Sequence, residues 1–94
     1  MARITLPQAQ LILQRALSSG RVFVHTHATA NKGGLRAYSE PEILAELNTA
    51  SNAAHLDHNR AVPGRFVAYG VELVISFDIV APNIIVVTAF EQGG

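Results

Sequence analysis

The residue pattern predicts an α+β domain: two helices packed on an antiparallel sheet of about four strands, in the order α-β-α-β-β-β. Three observations lead there. Two capping boxes each open a run of apolar residues at helical spacing. Runs rich in β-branched and aromatic residues follow strand alternation. The last three of these are joined by turns too short for a crossover, which favours antiparallel pairing.

The first helix is expected over residues 6–18. Thr5 and Gln8 form a capping box, and Pro7 sits early enough that its missing N–H costs nothing. Leu6, Ala9, Leu13, Ala16 and Leu17 recur at helical spacing, with Gln10, Gln14 and Arg15 on the other side. Gly20 closes it. A strand follows over 21–27. Val22, Val24 and Thr26 share one face, and Phe23, His25 and His27 share the other. Residues 28–38 read as a polar loop containing Gly33 and Gly34.

Ser39 and Glu42 make the second capping box, again with an early proline, Pro41. Ile43, Leu44, Leu47 and Ala50 give a helix over roughly 40–50 its apolar face. Residues 49–60 carry no clear period and read as loop. Strands are expected over 65–69 and 71–80, divided at Gly70 by a turn or bulge. In the second, Val71, Leu73, Ile75 and Phe77 share a face, and Glu72, Val74, Ser76 and Asp78 share the other. Pro82-Asn83 turns the chain into residues 84–90, too apolar for a half-exposed strand and so expected as a central strand, flanked on both sides.

Ninety-four residues, 49% of them apolar, suffice for one domain with its own core, spanning 1–94. There is no cysteine, which excludes thiol catalysis, cysteine-ligated zinc and disulfides. The formal charge is zero, which argues against binding nucleic acid by blanket phosphate neutralisation. A small basic site remains compatible with it. No apolar run is long and uninterrupted enough for a membrane helix, and no signal peptide is recognisable, so the expected site of action is the cytoplasm. Delivery into a target cell is the variant of that expectation.

The stretch from Arg21 to Glu42 concentrates the chemistry, with two of the four histidines and three of the seven cationic residues. His27-Ala28 ends a strand; Tyr38-Ser39-Glu40 opens a helix; Glu42-Ile43 through Leu47 continues it. Ile85-Val86-Val87-Thr88-Ala89-Phe90 is the closing strand. In this order the pieces resemble the small bacterial domain family DUF4258, within the class of metal-independent ribonuclease folds that includes barnase, RelE-type toxins and colicin nucleases. The resemblance covers roughly residues 22–90. Where the family carries Arg, this chain holds Asn31 or Lys32 and Leu35 or Arg36, and its segment from His27 to Ser39 is slightly longer.

The resemblance implies a bacterial toxin module that cleaves RNA without a cofactor, with His27, a loop Arg or Lys, and Thr88 in the site. It also implies an acidic immunity or antitoxin partner. Attack on a phosphodiester by the neighbouring 2′-OH needs a base, an acid and a cation for the developing charge. His27 leads as acid or base and His25 is its candidate partner, about 7 Å away by strand rise. Arg36 and Lys32 would take the phosphate charge, and Thr88 would position it. Arg60 and Arg65, beside a turn, are candidate substrate grips.

Each of these residue types also has a structural use. Exposed strand histidines, solvated loop cations and a threonine chosen for strand propensity need no substrate. A non-enzymatic protein-interaction module, such as a phage or toxin–antitoxin accessory protein, is therefore the alternative. A third reading gathers His25 and His27 with His55, Asp57 and His58 around zinc, in spacings that such sites use. Finally, Asn31-Lys32-Gly33-Gly34 could cradle an anion with backbone N–H groups, although most Gly-Gly pairs are simply loops.

Overall fold

The structure, a computed structural model, describes residues 4–25 and 38–91. Helix α1 spans Leu6–Ser19, and β1 spans Val22–Val24. Helix α2 spans Glu40–Thr49, followed by a single 3-10 turn over Ala53–His55. Then come β2 (Leu56–His58), β3 (Arg65–Tyr69), β4 (Leu73–Val80) and β5 (Asn83–Glu91). Both capping boxes form as read, with Thr5 and Ser39 accepting from the N–H groups of Gln8 and Glu42. Gly20 ends α1 at φ 70°, a left-handed conformation open to glycine at little cost.

The class is α+β, and two details of the expected sheet are corrected. Among the described residues it has five strands in the order β1-β5-β4-β3-β2, and it is mixed: β1 runs parallel to β5, while the other described pairings are antiparallel. The extra strand, β2, lies inside the stretch expected to be loop. Three residues are too few to show a period, and what holds them is remote in sequence. Gln10 on α1 accepts from the Ala53 N–H at 2.7 Å, and Gln14 donates to the Ser51 carbonyl at 2.7 Å. The polar side of α1 thus places the segment that enters β2. The parallel pair arises because the last strand, not the second, returns beside β1 and separates it from β4. Arg21 accepts from the Ile84 N–H at 3.0 Å to start that ladder.

Both helices pack on one face of the sheet. Ala9, Leu13 and Ala16 of α1, Ile43 and Leu47 of α2 and Ala50 at its C-terminal cap join Leu56, Phe66, Ala68, Leu73, Ile75, Phe77, Ile84, Val86 and Ala89 in a single buried cluster. Phe66 and Phe77, paired across β3 and β4, stack at 5.8 Å. As expected, β5 is internal to the sheet.

One irregularity decides which side chains face the other way. Ser76 pairs with Thr88 but Phe77 pairs with Val86, so Val87 is an extra residue on β5. Such a bulge resets alternation. Counted regularly from Ile84 and Val86, Thr88 would point into the core. Past the bulge it is Ala89 that faces inward, and Thr88 and Phe90 face out. Among the described residues, no helix is long and apolar enough to cross a membrane.

Candidate functional site

Of the described candidates, His25, Thr88 and Arg65 lie on the face of the sheet opposite the two described helices, here the open face. Its cross-strand rows follow from the registers. One row runs Arg65, Asp78, Ile85, Phe23; the next, Val67, Ser76, Thr88; the third, Tyr69, Val74, Phe90. The chain's four Phe and two Tyr divide evenly between the faces. Phe66, Phe77 and Tyr38 are buried in the core. Phe23, Tyr69 and Phe90 stand on the open face at 52%, 41% and 48% exposure.

His25 follows β1 directly, and its N–H donates to the Val86 carbonyl at 2.9 Å, extending the parallel ladder by one bond. It is exposed, and alternation puts it on the same face as Phe23. Thr88 sits on the neighbouring strand, two residues past Val86, half-buried on that same face beside Ser76. With the bulge taking up one residue, strand spacing and rise put the two Cα atoms about 6 Å apart. The fold therefore brings His25 and Thr88 together. His27, Lys32 and Arg36 lie outside the described residues.

The remaining candidates lie toward the opposite edge. Arg65 occupies the open face on β3, three strand steps from β1, or about 14 Å. Its guanidinium makes two bonds to Asp78, Nε to Oδ1 at 2.8 Å and Nη2 to Oδ2 at 3.1 Å. That hydrogen bond raises the Arg65 pKa above its ordinary value, against the opposing effect of burial. A phosphate at this arginine would therefore share it with a carboxylate. A raised pKa adds stability that is fully present at neutral pH and fades only under strongly alkaline conditions. Because both side chains are partly exposed, Asp78→Ala should cost only about 0.2–1 kcal/mol in a urea melt at neutral pH.

Arg60 is exposed in the turn between β2 and β3, in a groove lined also by Asp57, His58, Asn59 and Pro63. Asn59 braces that turn by accepting from the N–H groups of Ala61 and Val62 at 2.8 and 3.0 Å. It sits by the far edge, four strand steps from β1, or about 19 Å. Arg60 is thus not brought beside His25 and Thr88.

The third reading, a gathering of His25 with His55, Asp57 and His58, meets the same separation, since β1 and β2 form opposite edges of the described sheet. The second cluster also divides. Asp57 and His58 alternate across β2, Asp57 is exposed, and the His58 ring packs on Phe66 at 5.0 Å. Among the described residues, no three potential metal ligands of the His, Cys, Asp or Glu type gather.

Sequence reasoning missed the exposed aromatic trio. Phe90 and Tyr69 were available as strand aromatics, but their facing depends on a bulge and a cross-sheet register that local alternation does not reveal. Comparison with protein-family models, with curated proteins and with solved structures finds no match for this chain.

Proposed function

We propose that the domain is a metal-independent endoribonuclease of the toxin-module type, working at the β1–β5 end of the open sheet face. The observation that supports it is the placement of His25, directly after β1, and Thr88, on the neighbouring β5, toward the same side of the sheet. An imidazole and a hydroxyl so placed suit a phosphodiester laid across the two strands. The 2′-oxygen attacks phosphorus, and a histidine accepts its proton. The bond to the 5′-oxygen breaks, and a second acid protonates that leaving group. His27 and His25 share the proton roles in this scheme. Arg36 and Lys32 supply positive charge, and Thr88 donates to a phosphate oxygen. Arg60 and Arg65 would meet only RNA extending over the far edge. An acidic immunity or antitoxin protein is the partner this scheme implies.

The test is cleavage of single-stranded RNA by the purified chain in EDTA. His27→Ala should lower the rate by about 10²–10⁴-fold, the usual worth of a general acid or base. Wild-type protein that leaves RNA intact under these conditions sinks the proposal.

A protein-interaction module is the second reading, favoured by a separate feature. The outer side of α1 forms an apolar groove of about 280 Å³ between Ile4, Gln8, Leu11, Ile12 and Arg15, with Leu11 54% exposed. A tight protein partner displaced by Leu11→Asp, together with catalytic inertness, would establish it.

A further inference from the structure

We infer that the open sheet face is a stacking platform for the bases of single-stranded RNA, with Phe90 and Tyr69 as its principal rings and Phe23 as a flanking one. The platform rests on the RNA reading above and adds to it which form of RNA is held and which residues hold it.

Three features point there. All three non-core aromatics lie on this one face, each about half exposed, whereas a ring serving only the fold is buried more fully. Phe90 is two residues beyond Thr88 on the same strand and the same side, about 7 Å away by strand rise. A phosphate held at Thr88 would therefore place an adjoining base over the Phe90 ring. Tyr69 continues the row across Val74, two strand steps or about 10 Å from Phe90, and offers the next surface.

The polar groups among these rings favour nucleic acid over a second copy of the chain. Arg65, Asp78, Thr88 and His25 interrupt the apolar surface, whereas the centre of a protein interface is depleted of charge. Arg65 is already neutralised by Asp78, so the described part of this face offers ring surface rather than free positive charge. Stacking tolerates any base and requires an unpaired one, which selects single strands over duplex.

The probe is a short fluorescein-labelled 2′-O-methyl oligouridylate, which lacks the attacking hydroxyl, followed by anisotropy alone and as a duplex. Wild-type protein should prefer the single strand. Phe90→Ala and Tyr69→Ala should each weaken binding by about fivefold to hundredfold, the range for losing one stacked base. Phe90→Trp should retain it. Both rings are exposed, so the folded state should survive these changes, as circular dichroism would verify. Unchanged affinity in both alanine variants, or equal affinity for duplex, overturns the platform. So does a dimer that Phe90→Ala dissolves while no oligonucleotide binds. Cleavage of unmodified RNA with Phe90→Ala and Tyr69→Ala affinities unchanged would remove the platform alone. Ring-dependent binding without cleavage would uphold the platform and remove the nuclease reading alone.

Discussion

Phe77→Ala should destabilise the domain by about 3–5 kcal/mol, while Phe90→Ala should cost less than about 1 kcal/mol. The two phenylalanines lie on neighbouring strands of one sheet, so composition and strand propensity do not separate them. The facing of each ring does. Phe77 is fully buried at the middle of β4, between Phe66 on β3 and Val86 on β5, under the helices. Truncation removes the stack with Phe66 and leaves a cavity among rigid neighbours, where lost transfer energy and lost contacts add. Phe90 is 48% exposed, so its truncation returns little surface to water. Against a typical stability of about 5–15 kcal/mol, the first change is near the limit the fold tolerates. Urea denaturation of both variants measures the difference. Equal losses would mean that the bulge at Val87 does not set the facing described above.

The elements with local causes were legible in the sequence. Both capping boxes, the Gly20 terminus, the alternation from Leu73 to Asp78 and the internal position of residues 84–90 follow from short-range sterics, hydrogen bonding and apolar content. Features set by distant partners were not. Strand β2 depends on two glutamines of α1, more than thirty residues upstream. The parallel pairing of β1 depends on where the last strand ends up. Thr88 was selected for its residue type and the resemblance. Only the extra residue Val87 turns it toward His25's face, and nothing in Ile84–Phe90 marks the bulge. The zinc reading, which set His55, Asp57 and His58 beside His25, has a related weakness. Proximity in a residue pattern says nothing about which edge of the sheet a strand occupies.

Gly70→Ala should destabilise the wild type by about 1–3 kcal/mol, and most of the loss should disappear in a Glu46→Ala background. Gly70 precedes the turn into β4, with its N–H donating to the Leu73 carbonyl at 2.8 Å. Its conformation is not left-handed, so alanine meets no backbone penalty there. The obstacle is a side chain. A Cβ at this position would overlap the Glu46 carboxylate, which reaches from α2. Glu46 cannot retreat cheaply, because its Oε2 accepts from the N–H groups of Glu72 and Leu73 at 3.0 and 3.1 Å. Displacing it breaks the polar link between α2 and the β3–β4 turn and returns those donors to water. Hydrogen bonds to a charged group contribute about 1.5–3 kcal/mol each in favourable settings. This exposed turn belongs toward the lower end. With Glu46 truncated to alanine, the overlap with the carboxylate is gone and only the Cβ of residue 46 stays close, at 3.3 Å, so alanine at position 70 should be nearly neutral, the residual crowding offsetting the gain of about 0.4–1 kcal/mol from restricting the unfolded chain. The four proteins form a double-mutant cycle with an expected coupling of about 1–3 kcal/mol. Additive losses would show that Gly70 is needed for its backbone alone and that the carboxylate does not fix the turn.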